Sequence, residues 1–499
     1  MPHTNPASGW LVGPLYLTTA VRYDHLRQGG RVALRGRLQS DYTPVRIRPL
    51  AFLRHQTRSD YTFGARFSSS GSNHAGTDGP KRVPPTAFVV QLDFLGGARE
   101  VGRSAVLVDE TLLLDYGAKP TTPPSWPLNC DPEAVVVSHG HLDHVGGVPA
   151  LLSGDTPPSI HWTSPTHELA RLLARDTLKL HGGTPRCPFT ENDAARLGEQ
   201  SVEHDYRESF TIDGYEITLY NAGHIPGSAH VLVDDGETRL LYTADFHTDD
   251  QRLVSGTTAR PDADVILCES TYSDVGHDPR KSVERQFVQS LRETTVRGGT
   301  VVVPAFAIGR TQEVLLVCNA HDLDTYVDGM GVEVLDMLTR HPEYVRNVDA
   351  LRGARTNARM VTGRDGQRRR IADEQTVIVT TSGMLNGGPA MTYVPAIADS
   401  PLNLVAFSGY QVEGTPGREL LERGSAHING RQLRASARRE FFDFSAHADH
   451  DGLRSFLSSY EDSTVLVNHG DRCVAFAEEL RGDGYDARAP ELGATVQIE

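Results

Sequence analysis

Ser138-His139-Gly140-His141-Leu142-Asp143-His144 packs four side chains that bind metals into six residues, directly after the β-branched run Val135-Val136-Val137. His139 and His141 leave a strand two residues apart, so they can point the same way. Asp143 and His144 can then serve a second centre. Neutral imidazoles with carboxylates form the ligand set of catalytic zinc. A lone histidine usually belongs to the core; HxHxDH is a different matter. Gly140 and the pair Gly146-Gly147 allow a compact loop and a close helix start.

Other candidates end apolar runs. Asp115 ends Leu112-Leu113-Leu114. Asp245 ends Leu241-Tyr242-Thr243-Ala244, and His469 ends Val465-Leu466-Val467-Asn468. His224 lies in Asn221-Ala222-Gly223-His224-Ile225-Pro226-Gly227-Ser228. Open sheets place their sites at such strand ends. Singly, each reads as a turn cap or a surface histidine. Together they supply the ligands of a two-metal site. Glu269, after Val265-Ile266-Leu267-Cys268, reads either as an ion-pair partner or as a functional carboxylate. Arg310, at a helix start, suits phosphate binding and the anchoring of a carboxylate equally.

Two rhythms position these residues. From about Ala87, strands at Phe88–Leu95, Ser104–Val108, Thr111–Leu114 and Ala134–Val137 precede a helix at His167–Leu180. Strands return at Tyr215–Tyr220, His230–Val233 and Arg239–Tyr242. That mixture predicts a layered sheet sandwich flanked by helices. From about Thr271 strand and helix alternate, with strands at Thr300–Val303, Thr325–Val327, Val377–Thr380 and Asn403–Phe407, which predicts a parallel α/β sheet. A final strand, Thr464–Val467, precedes a helix from about Arg472 to Asp483.

HxHxDH with these downstream positions resembles the metallo-β-lactamase superfamily, from about Phe88 onward. Three further motifs are similar to its β-CASP branch: Cys268-Glu269-Ser270-Thr271-Tyr272, Phe444-Ser445-Ala446-His447-Ala448-Asp449, and Asn468-His469-Gly470-Asp471. Pro304-Ala305-Phe306-Ala307-Ile308-Gly309-Arg310-Thr311-Gln312-Glu313, Thr381-Ser382-Gly383-Met384-Leu385 and Gly409-Tyr410-Gln411-Val412-Glu413-Gly414-Thr415 resemble the inserted domain of the cleavage-and-polyadenylation endonuclease subunit and its archaeal relatives. The third motif usually ends in His-Gly-Glu; here it is His-Gly-Asp.

The resemblance implies an αββα sandwich with an inserted β-CASP α/β domain. It divides the chain into an extension (1–86), a first metallo-β-lactamase segment (87–274), the insert (275–440) and a return segment (441–499). It implies two zinc ions, the first on His139, His141 and His224 and the second on Asp143, His144 and His469. Asp245 bridges them, and Asp115 orients ligands and the nucleophilic water. His447 becomes the general acid, oriented by Glu269. The implied reaction is RNA phosphodiester hydrolysis to 5′-phosphate and 3′-hydroxyl ends. It is endonucleolytic, with a 5′-to-3′ exonuclease mode also compatible. The competing readings are a DNA nuclease of the repair branch, which lacks the third-motif histidine, a small-molecule metallo-hydrolase, and a silent RNA-binding subunit of a processing complex. No GxxG loop in KH context precedes Ala87, so the expected form is the KH-less archaeal one. Homodimerisation through the first lobe is compatible with the sequence.

Composition sets the remaining bounds. Asp and Glu total 64 against 49 Lys and Arg, a formal charge of -15. That excess excludes a simple basic nucleic-acid coat but not a nuclease with local patches and metal ions. There are 45 Arg but only 4 Lys, which fits either salt adaptation or GC-rich codon bias. Residues 1–86 carry a net +8. They read as a poorly ordered extension, as an RNA-contacting arm, or as an over-long start. Residues 340–370 hold nine Arg against three acids. Arg368, Arg369 and Arg370 there suit a phosphate track for single-stranded RNA, or simply a solvated charge run. Five dispersed cysteines without a CxxC point to a reducing cytoplasm, and no apolar run reaches membrane-spanning length.

Overall fold

The computed structural model describes residues 90–498 apart from 122 and 365. The expected extension over residues 1–86 lies outside that range. Strands Leu112–Leu114 and Ala134–Val136 show how the sequence builds the layers. Leu112, Leu114, Ala134 and Val136 face one apolar core, while Leu113 and Val135 face another on the opposite side. A strand's period of two puts alternate residues on opposite faces, so a continuous apolar run makes a strand buried on both.

Two seven-stranded sheets follow. The first runs in the order Thr495–Ile498, Val90–Gly96, Ala105–Val108, Leu112–Leu114, Ala134–Val136, Ser159–Trp162, Ser201–Glu203. The second runs Asp486–Arg488, Thr464–Asn468, Val265–Glu269, Arg239–Ala244, Ala229–Asp234, Tyr215–Asn221, Ser209–Ile212. Leu92, Val106 and Leu112 of the first meet Ile217, Val231 and Leu267 of the second in a shared core. Helix Ser164–His181 covers the outside of the first sheet through Ala170 and Ala174. Helices His450–Leu457 and Cys473–Gly482 cover the second through Leu453, Phe456 and Phe476. This is the αββα sandwich that the resemblance implies.

The C-terminal segment completes both sheets. Thr495–Ile498 pairs antiparallel with Val90–Gly96, with Val90 opposite Ile498. Thr464–Asn468 lies parallel to Val265–Glu269, with Asn468 opposite Glu269. That register sets His469 beside Glu269 although 200 residues separate them in sequence.

Between those two strands the chain forms a third sheet of six parallel strands, in the order Arg359–Met360, Thr325–Asp328, Val377–Thr380, Val301–Pro304, Leu404–Phe407, Arg438–Phe441. Val301 and Val303 face a core with Phe287 and Leu291, and Val302 faces another with Tyr393 and Val394. Helix Arg280–Val296 supplies Val283, Phe287 and Leu291. Their spacing of four residues lays one apolar stripe along the sheet.

The expected cationic track is largely neutralised. Arg340 pairs with Glu168, Arg346 with Asp250, Arg352 with Asp349 and Arg355 with Asp336. Arg368 gives its Nε (2.7 Å) and Nη2 (3.1 Å) to Asp328 at the end of its strand. Asp328 is buried and also accepts from the Tyr393 hydroxyl at 2.9 Å. Arg368 is therefore a structural partner of a buried carboxylate. Arg369 and Arg370 are exposed and make no ion pair among the described residues. Removing one partner of a buried pair strands the other. Arg368→Leu should lower stability by about 3 kcal/mol in urea titrations, while Arg369→Leu should change it by less than about 0.5 kcal/mol.

Candidate active site

The side chains singled out above stand at the carboxyl ends of strands from the first two sheets. Asp115 follows Leu112–Leu114, and the His139–His144 loop follows Ala134–Val136. His224 follows Tyr215–Asn221, Asp245 follows Arg239–Ala244, Glu269 ends its own strand, and His469 follows Thr464–Asn468. Three exits are sharp: Asp115, Ala244 and His469 have φ of 58°, 46° and 47°. Such left-handed turns are costly for residues with side chains and persist where the surroundings hold them. Gly117 packs so tightly under the loop that a Cβ there would lie 1.8 Å from the Asp143 carbonyl oxygen.

Asp115 is fully buried and holds four donors. Its Oδ1 accepts from the Ser138 amide at 2.7 Å. Its Oδ2 accepts from the Ser138 hydroxyl (2.7 Å), the Tyr242 hydroxyl (2.8 Å) and His144 Nδ1 (2.7 Å). The last contact fixes the orientation of the His144 ring and turns its Nε2 toward Asp245. The other imidazoles are anchored in the same way. His139 Nδ1 lies 3.1 Å from the Ser138 hydroxyl, His224 Nδ1 donates to the Ala446 carbonyl at 2.8 Å, and His469 Nδ1 lies 2.7 Å from the Ser104 hydroxyl.

The opposite ring edges converge on Asp245. Its Oδ2 is 3.5 Å from His139 Nε2 and 3.7 Å from His224 Nε2. Its Oδ1 is 3.3 Å from His144 Nε2 and 3.5 Å from His469 Nε2, which stands 3.8 Å from Asp143 Oδ2. His141 Nδ1 meets His224 Nε2 at 2.9 Å. One carboxylate thus divides its oxygens between two clusters, His139-His141-His224 and Asp143-His144-His469.

These atoms fit metal ions. His139 Nε2, His144 Nε2 and Asp245 Oδ1 are buried without a hydrogen-bond partner, which is costly unless something else satisfies them. Most of their mutual distances exceed hydrogen-bond length. Two ligands at zinc bond lengths in a tetrahedron stand about 3.3–3.5 Å apart. Burial, reinforced by neighbouring imidazoles, holds His139 and His224 well below the usual imidazole pKa, so their lone pairs are free.

His447 is close to this centre without belonging to either cluster. Its Nδ1 contacts both Glu269 oxygens at 3.1 and 3.2 Å, and its Nε2 is 4.0 Å from Asp245 Oδ2. Glu269 is buried and also accepts from the Phe246 amide at 2.9 Å. Burial opposes protonation of His447, but the charges of Glu269 and Asp245 outweigh it and lift the pKa to about 9. Arg310 lies in the adjoining corner with Tyr272 and Asp443, its guanidinium donating to the Ser408 carbonyl.

Sequence reasoning passed over Ser104, Ser138 and Tyr242, which hold ligands in place, and also His277, Arg280 and Asp443 beside His447. Tyr242 had a legible signal, being a polar-tipped residue inside an apolar strand. The others are set by partners far away in sequence.

Comparisons with known proteins agree with this architecture. The metallo-beta-lactamase superfamily matches residues 99–305, the Beta-Casp domain residues 311–420, and the Zn-dependent metallo-hydrolase RNA specificity domain residues 425–490. The chain is 35% identical over 423 residues to RNase aCSPSF2 of Saccharolobus solfataricus, covering 82% of this chain and 85% of that one. It is 30% identical to the probable RNase MJ4 of Methanocaldococcus jannaschii, covering 82% and 100%. It is 32% identical to transcription termination factor FttA of the same organism, covering 79% and 69%. A solved Enterococcus faecalis protein of unknown function shares the fold, with a TM-score of 0.54 at 11% identity over 82% of this chain and all of that one. The shared domains and the extent of these matches lead to one assignment: the chain belongs to the β-CASP branch of the metallo-β-lactamase superfamily.

Proposed function

We propose that this chain is a zinc-dependent ribonuclease that hydrolyses phosphodiester bonds within single-stranded RNA, leaving 5′-phosphate and 3′-hydroxyl ends. A 5′-to-3′ exonuclease mode of the same site is compatible with it. The observation that carries the proposal is the division of the Asp245 oxygens between two ligand clusters, with the Glu269–His447 pair alongside. Names of relatives that include "RNase" support the substrate class. In this reading His139, His141 and His224 would hold the first zinc and Asp143, His144 and His469 the second, with Asp245 within reach of both clusters. When bound, the metal would supply a water activated at neutral pH and positive charge to offset a phosphodiester.

The chain's own residues do the rest. His447, protonated at neutral pH, hands the proton on Nε2 to the leaving 3′ oxygen. Glu269 keeps its Nδ1–H in place and balances the imidazolium charge. Asp115 holds His144 and the Ser138 turn, so the loop geometry survives turnover. We extend the same reading to the chain's organisation, with residues 275–440 as an insert in a sandwich made of 87–274 and 441–499. Its setting is a cytoplasm, and the acidic, lysine-poor composition supports a salty one. Among the described residues no helix is long and apolar enough to cross a membrane.

The deciding experiment incubates 5′-labelled single-stranded RNA with wild type and His447→Ala and reads products at single-nucleotide resolution. Internal cleavage sites, lost on chelation and restored by zinc, are expected. His447→Ala should slow cleavage by about 10²–10⁴-fold while keeping the same zinc content. Stepwise loss from the 5′ end alone overturns the endonuclease. Intact RNA alongside hydrolysis of a thioester overturns the ribonuclease. Asp115→Asn should weaken zinc retention by about 10- to 100-fold in competition with a chelator, because His144 loses the carboxylate that orients its ring.

A further inference from the structure

In the corner next to His447 lies a pair of arginines, each with donors left over after its protein contacts. Arg280 begins helix Arg280–Val296, and its Nη2 donates to the Ser445 carbonyl at 2.6 Å, two residues before His447. Its Nη1 is buried and has no hydrogen-bond partner. Arg310 uses one guanidinium nitrogen, on the Ser408 carbonyl. The two lie close together. Burial, and then the charge of Arg280, lower the Arg310 pKa to about 10.

Two like charges in a half-buried site repel unless an anion lies with them. Asp443 and Glu313 share this corner and offset part of that charge, but both are also held by other donors. Asp443 accepts from His277 Nδ1 at 2.7 Å and from the Ser445 amide at 3.1 Å. Glu313 accepts from the Arg252 and Leu253 amides at 3.1 and 2.8 Å and stands 4.0 Å from Arg280 Nη1. Tyr272 lines the same corner, its ring 5.6 Å from His447 and 6.2 Å from the exposed Tyr410.

We propose that Arg280 and Arg310 form a clamp for a non-scissile phosphate of the RNA, one or two nucleotides upstream of the cleaved bond. The upstream side follows from His447, which faces the leaving 3′ oxygen in the ribonuclease reading on which this inference rests. Guanidinium forks match phosphate oxygens, and such contacts set the register of a nucleic acid without reading its sequence. The clamp serves to hold the upstream strand while the bond is cut.

The test uses the zinc-loaded full chain and RNAs carrying one neutral methylphosphonate at each non-scissile position in turn. Wild-type cleavage of unmodified RNA is read first; its absence overturns the ribonuclease reading and the clamp with it. The clamp predicts one upstream position where neutralisation lowers kcat/KM by about 10- to 100-fold in wild type. At that position the penalty should shrink below about threefold in Arg280→Gln and in Arg310→Gln, as expected once the partner donor is gone. RNA affinity in either variant should also lose about 0.7 from its logarithmic salt slope. Zinc content and melting temperature identify a variant that fails to fold, and the other variant then decides. Normal cleavage with no position-specific penalty, or a penalty that both variants retain, overturns the clamp alone.

Discussion

The arrangement depends on one buried carboxylate. Asp245 sits in a dry site with imidazole nitrogens on both of its oxygens. An ionised carboxylate taken out of water costs several kcal/mol unless partners compensate. The other ring nitrogens of His469, His139, His144 and His224 face outward to Ser104, Ser138, Asp115 and Ala446. What remains is a buried carboxylate with imidazole nitrogens 3.3–3.7 Å from its oxygens, farther than good hydrogen bonds, a spacing that suits a cation between them. Those outward anchors fix which edge of each ring faces the centre, and they come from the ends of the first sheet's strands and from the loop that carries His447. The αββα sandwich brings both sets of strand ends to one edge.

The insert belongs to the same construction. Glu313, at the start of its helix, accepts two backbone amides of the Arg252-Leu253 loop and is almost fully buried. Arg340 and Arg346 reach across to Glu168 and Asp250. Exposed pairs of that kind contribute little each, so the buried Glu313 contact is the stronger tie. It holds Arg310, three residues earlier, beside the loop that carries His447.

How much of this was legible in the sequence follows from locality. HxHxDH is contiguous, and Asp115, Asp245 and His469 each end an apolar run whose period is plain. The strands that end at them were legible for the same reason. Helix Arg280–Val296 carries its stripe at Val283, Phe287 and Leu291, yet charged residues between those positions obscured it. Strand Thr495–Ile498 exists only through its pairing with Val90–Gly96. The partner of Arg368 lies 40 residues earlier and could not be read from the run; a run of arginines shows charge but not what neutralises it. His277, Arg280 and Asp443 come together only when the insert has folded back on the sandwich.

That last point changes the meaning of the charge balance. A net -15 repels a polyanion at long range, and the repulsion weakens as salt shortens the Debye length. At short range many of the arginines that appear to oppose it, among them Arg340, Arg346, Arg352, Arg355 and Arg368 of the insert, are committed to Asp and Glu. In the proposed ribonuclease, attraction for RNA then rests on local charge: the metal ions, Arg280 and Arg310 at the centre, and exposed arginines such as Arg359, Arg364, Arg369 and Arg370 farther along the insert. An acidic surface around a small cationic core disfavours loose binding everywhere except at the site. RNA held there would be in position to react, whereas RNA elsewhere on the surface would be released.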